Sequence, residues 1–243
     1  MQEQPYVISK KRTVRKVYWG RIIAVSVALC ALIIGMTLFL TRTKGSITVD
    51  ARTYWLVSMG EYNDSNSATA RADEVRLAGG AGYIYGDKSF VVAASCYASE
   101  DDARTVSSRI DGSGVYAISC PALTVSKPKK GKAKLKEMLA LPAKIFDELY
   151  DISVKLDTLQ IAESAAKYAV LKLSVACATY ASQCVEIEGE AGSYLYGLLS
   201  FFAEKTENVA SGGDAGQGIK YALCEFAVKT CKAGEEFNSS AKK

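Results

Sequence analysis

The sequence predicts an α+β chain in three parts: a transmembrane helix, then a four-stranded sheet with two helices on one face, then an all-α helical bundle. Three observations predict it. Residues 22–40 form an uncharged apolar run of nineteen residues, a segment near residue 55 repeats at a constant offset of 35, and beyond a lysine-rich stretch apolar residues recur at helical spacing.

At 1.5 Å rise per residue the apolar run nearly matches a hydrocarbon core of roughly 30 Å. It ends in Thr41, Arg42, Thr43 and Lys44 rather than in a small-residue cleavage site, so the span is expected to stay attached. Lys10, Lys11, Arg12, Arg15, Lys16 and Arg21 precede it, while Arg42 and Lys44 follow. The larger basic excess normally stays inside, which predicts a cytoplasmic basic tail over 1–21 and a single-pass chain whose remainder lies outside the cytoplasm. Tyr18 and Trp19 suit the inner headgroup region. The net charge is only +4, from 30 Lys and Arg against 26 Asp and Glu, and no nucleic-acid partner is expected. There is no histidine, the usual general base at neutral pH and the commonest metal ligand, so no enzyme, cofactor or metal site is expected.

After the span, Trp55 corresponds to Phe90, Val57 to Val92, Tyr62 to Tyr97 and Ala68 to Ala103. Each copy opens with a strand pattern: Trp55, Val57 and Met59 point one way, as do Phe90, Val92 and Ala94. A helix start follows each strand, at Ser65 before Ala68, Ala72 and Val75, and at Ser99 with Asp102 before Ala103, Val106 and Ile110. Gly79, Gly80 and Gly112 stop these helices, and short strands follow at 82–85 and 115–118. The order strand, helix, strand, strand, helix, strand gives one sheet with both helices on one face and the other face open. By alternation Leu56, Ser58, Gly60, Ser89, Val91, Ala93 and Ser95 line that open face, with Glu61 near the strand end. Tyr83, Tyr85 and Tyr116 either add aromatic area to it or are half-buried sheet residues.

Trp55-Leu-Val-Ser-Met-Gly-Glu-Tyr62 and Phe90-Val-Val-Ala-Ala-Ser-Cys-Tyr97, with the alanine-containing helices behind them, resemble the two halves of a SPOR (sporulation-related repeat) domain over 52–120. The resemblance implies a ferredoxin-like layer in a bacterial cell-membrane protein that binds peptidoglycan glycan strands during cell division or sporulation. It also implies a glycan site on the helix-free face, at Leu56, Ser58, Gly60, Glu61, Ser89, Val91, Tyr83, Tyr85 and Tyr116. Ser58 and Ser89 stand where family members often carry Gln or Trp.

Residues 121–136 read as a Lys-rich linker, with Lys127, Lys129, Lys130, Lys132, Lys134 and Lys136 around Pro128 and Gly131. Helical patterning over 137–235 then predicts an antiparallel bundle with a protein partner of its own, before a disordered tail at 236–243. Lys172 interrupts the apolar run near Tyr168, which argues against a second span. The glycine-rich turn at 211–218 lacks the Gly-Lys-Ser/Thr ending of a phosphate loop, and Ser164 with Lys167 lacks the partner motifs of a Ser-x-x-Lys enzyme. Beside the glycan, the expected partners are therefore the lipid bilayer and an unidentified protein.

Cys177 and Cys184 lie seven apart, and Cys224 and Cys231 repeat that spacing. This predicts the disulfides Cys177 with Cys224 and Cys184 with Cys231, or else buried free thiols. Cys96 and Cys120 are expected at opposite ends of the sheet and unbonded, and Cys30 within the span.

Overall fold

In a computed structural model, the first copy of the repeat forms a long strand and the second a shorter partner beside it. Residues 46–126 and 132–240 are described; the basic tail, the apolar run, Cys30 and Lys127, Lys129 and Lys130 lie outside them. The elements are β1 (Ser46–Val49), β2 (Arg52–Tyr62), α1 (Ser65–Leu77), β3 (Tyr83–Tyr85), β4 (Phe90–Tyr97), α2 (Glu100–Ser107), β5 (Gly114–Cys120) and β6 (Leu123–Ser126). Five helices follow: α3 (Lys132–Leu139), α4 (Leu141–Asp157), α5 (Glu163–Cys184), α6 (Glu190–Ser211) and α7 (Ala215–Ser240).

The four-stranded sheet has the order β3-β4-β2-β5, every neighbour antiparallel. The long β2 lies in the middle because its alternating apolar residues can be buried on both faces. Helices α1 and α2 cover one face, where Ala68, Ala72 and Val75 meet Val92 with Met59, Ile84 and Phe90 around them. Both helices begin with side-chain caps: Asp64 accepts from the Ser67 N–H at 2.8 Å, and Ser99 Oγ from the Asp102 N–H at 3.3 Å. Asp64, one residue before the expected start, is the first of these caps.

Two register shifts, between Val57 and Ser58 and between Ser58 and Glu61, break the alternation of β2 against β4. Gly60 supplies the second, with φ +129°, a conformation other residues rarely adopt. One side chain is redirected as a result. Ser95 pairs with Val57 and is buried on the face covered by α1 and α2, not on the opposite face where strict alternation puts it.

Strands β1 and β6 form a separate antiparallel ribbon, Ser46 opposite Ser126, which the sequence reading did not include. The expected linker over 121–136 therefore contains a strand and the start of α3, and the expected disordered tail continues α7 to Ser240. Helix α5 runs along α6, and α7 packs on α4 and α6 with one flank and on β3, β4, β5 and β6 with another.

That double packing removes the boundary expected between a sheet domain and a bundle. Tyr54, Leu56, Ala93, Cys96 and Ile118 belong to one continuous core with Phe146, Leu149, Leu199, Phe202, Leu223 and Phe226. Among the described residues, no helix is long and apolar enough to cross a membrane, and no group of His, Cys, Asp or Glu could hold a metal ion.

Candidate functional site

The sheet face expected to be open is covered. Helix α7 presents apolar residues on more than one side, and Ala222, Leu223, Phe226, Ala227 and Cys231 are all buried. Such a helix needs apolar neighbours on both flanks, and the second flank is the sheet. Leu56 is 0% exposed and Val91 3%, so these two expected glycan contacts are core residues. Tyr83 also turns inward, its ring 5.3 Å from that of Tyr221 on α7, and burial pushes its phenol well above the usual range.

Side chains lock this cover in place. Cys120, the last residue of β5, is bonded to Cys231 of α7. The expected pairs Cys177 with Cys224 and Cys184 with Cys231 do not form; Cys96, Cys177, Cys184 and Cys224 are buried free thiols. Strands β4 and β5 are both antiparallel to β2, so Cys96 and Cys120 end at the same end of the sheet, separated by β2, contrary to the expectation of opposite ends. The Arg52 guanidinium stacks 5.0 Å from the Tyr54 ring and 5.6 Å from Phe146 and pairs with Asp147, tying β2 to α4. Gln217 Nε2 donates to the Arg76 carbonyl at 3.0 Å, a second donor to an acceptor that already takes the Gly79 N–H at the end of α1.

The two discounted motifs have structural roles. Asp214 of the glycine-rich turn accepts from the Gln217 N–H at 2.9 Å, capping the first turn of α7. Lys167 donates to the Gly213 carbonyl at 2.5 Å and pairs with Glu163 at 3.1 Å, while Glu163 also accepts from the Ala215 N–H at 3.2 Å. Those hydrogen bonds and the lysine hold the Glu163 carboxyl below the usual carboxylate range.

The structure brings together one pair of the expected glycan residues. Tyr85 on edge strand β3 and Tyr116 on edge strand β5 meet across the sheet with ring centroids 5.8 Å apart. Tyr116 remains 38% exposed. Glu61 is exposed opposite Val91, which in turn pairs with Tyr85. Ser58, Gly60 and Ser89 are half-buried, and the Gly60 N–H donates to Ser58 Oγ at 3.3 Å. Burial raises the Tyr85 phenol, with Tyr116, Glu235 and Asp87 adding in the same direction. Two aromatic rings beside a carboxylate can stack a sugar ring and accept its hydroxyl hydrogen bonds.

No protein-family model, curated protein or solved structure matches the chain. Function therefore has to be read from the surfaces themselves.

Two further surfaces lie outside the residues expected at the glycan site. On the face backed by α1 and α2 an apolar cleft of about 360 Å³ opens between these two helices, floored by Val57 and Ala94 and rimmed by Asp157 at the end of α4 and Lys220 near the start of α7. On α5, Tyr168, Leu171 and Val175 are 64%, 44% and 61% exposed at helical spacing, with Lys172 Nζ 5.6 Å from the Tyr168 ring. This second surface was legible in part: Tyr168 and Val175 carry the helical pattern, but periodicity alone does not say that they face outward.

Proposed function

We propose that the chain is a membrane-anchored, extracytoplasmic scaffold without catalysis, in which a SPOR-like layer serves as an internal platform for helices that recruit a protein partner. The observation that carries the reading is the covered sheet: Leu56 and Val91, expected at a glycan surface, are buried, and α7 packs on β3, β4 and β5. The Cys120–Cys231 bond supports an oxidising location outside the cytoplasm. The partner's chemistry follows from α5. Tyr168, Leu171 and Val175 form a ridge suited to the apolar stripe of another helix, and Lys172 favours acidic residues on its flank.

A second reading rests on the Tyr85–Tyr116 pair, which leaves a small aromatic surface at the uncovered end of the sheet. A fragment of residues 46–243 incubated with purified sacculi, with and without amidase treatment to remove stem peptides, separates the two. The scaffold reading expects no amidase-dependent retention. Retention that Tyr85→Ala and Tyr116→Ala both abolish would replace it with glycan binding.

A further inference from the structure

The carboxyl end of α4 closes with a paired helix-end motif: the Gln160 N–H donates to the Lys155 carbonyl at 2.8 Å and the Leu159 N–H to that of Leu156 at 3.0 Å. The left-handed position of this motif normally holds Gly. Here it holds Leu159, at φ 57°, with its side chain 89% exposed. A leucine there has an unfavourable backbone and leaves apolar surface in water, so the isolated chain gains nothing from it. A second leucine, Leu77 at the end of α1, is equally open to water at 90% exposed.

Lys220 draws these two helix ends together. Its Nζ lies 3.0 Å from Asp157 Oδ1, two residues before Leu159, and 3.4 Å from the Gly79 carbonyl, two residues after Leu77. The same Asp157 and Lys220 rim the 360 Å³ cleft, whose walls include Val75, Val106 and Ile110. One patch thus carries two apolar projections beside an apolar hollow.

We propose that this patch is the interface of a two-fold symmetric homodimer, with Leu77 and Leu159 of each copy entering the cleft of the other. A two-fold contact joins a surface to itself and so requires self-complementarity, which projections and a hollow side by side supply. A partner that only filled the hollow would leave both leucines in water. The charges agree: the charged residues lining the cleft are Asp157 and Lys220, one of each sign and paired with each other, so the surface meets its own image without net repulsion.

The test uses the full chain in detergent micelles, with the photo-crosslinker benzoylphenylalanine at position 159. The expected product is a dimer-sized adduct whose crosslinked peptide carries Val106 or Ile110. Leu77→Glu and Leu159→Glu should each weaken dimerisation at least tenfold, while Leu171→Glu on α5 leaves it unchanged. Leu159→Gly keeps the fold intact because glycine suits that backbone, so it should raise the thermal midpoint and still weaken the dimer. A dimer unaffected by Leu159→Gly, an adduct mapping outside the cleft, or loss of the dimer through Leu171→Glu alone would overturn the proposal.

Discussion

Cys231 of the last helix lies against Cys120 of strand β5 with Cα atoms 4.2 Å apart, bonded across 111 residues of sequence. The bond fastens the helix that covers the sheet to the sheet itself. In the chain-entropy account, a cross-link closing a loop of this length removes much freedom from the unfolded chain, and its loss costs about 3–5 kcal/mol. Cys231→Ser, or reductant added to the wild-type chain, should therefore lower the unfolding free energy of residues 46–243, read from urea titration, by that amount, and move the midpoint down with it. An unchanged midpoint would mean that α7 is held by packing alone.

The remaining thiols give a pH prediction. Burial pushes Cys177 from 9.0 up to about 12 and Cys96 and Cys224 upward as well. Burial likewise moves Tyr54 and Tyr194 from 10.0 to about 12. In each case the folded state favours the protonated form. Their contribution is complete below the unfolded pKa, near 9 for the thiols and near 10 for the tyrosines, and declines as pH rises towards 12, because the unfolded chain releases its protons first. Stability should fall steadily above pH 9. At pH 8, alkylation of the native fragment should be slow; four thiols should react after unfolding and six after unfolding with reduction.

The repeat was legible because it is local. An offset of 35 residues, alternating apolar positions and the Ser99 cap specify two strand-helix units without any distant partner. Strands β1 and β6 were not legible: four residues each, they pair across more than seventy intervening positions, and neither carries a pattern long enough to read. The role of α7 was hidden for a different reason. Its apolar stripe over Ile219, Ala222, Leu223 and Phe226 signals burial, but a stripe does not name its partners, and the sheet competes with α4 and α6 for it. Of the two alternatives for the bundle cysteines, buried free thiols hold for Cys177, Cys184 and Cys224, while Cys231 is bonded outside the bundle because the flank of α7 that bears it faces Cys120 rather than α5.

Phe226 tests the junction of sheet and helices. It is fully buried and stacks on Phe202 of α6 with centroids 4.0 Å apart and planes 20° from parallel. Phe226→Ala should cost about 3–5 kcal/mol, from lost burial and the cavity left behind. If sheet and bundle unfolded independently, only part of the transition would shift. A shared core predicts one cooperative transition moving as a whole, by far-ultraviolet dichroism and tyrosine fluorescence alike.

Ala93 provides the sharpest check on the covered face. It pairs with Ser58 and Tyr83 in the centre of the sheet and is 0% exposed. On an open glycan-binding face, Ala93→Phe would be tolerated or favourable, because aromatic residues suit strands and add stacking surface. Beneath α7 the added ring has no room, and over-packing of this kind costs about 1–3 kcal/mol. The effect should also depend on the disulfide. With Cys120 and Cys231 joined, α7 cannot lift away and the full cost appears in the urea midpoint; in Cys231→Ser the helix can shift, so part of the penalty is relieved. A double-mutant cycle between Ala93→Phe and Cys231→Ser should therefore show coupling, whereas strict additivity would indicate that α7 does not bear on the centre of the sheet.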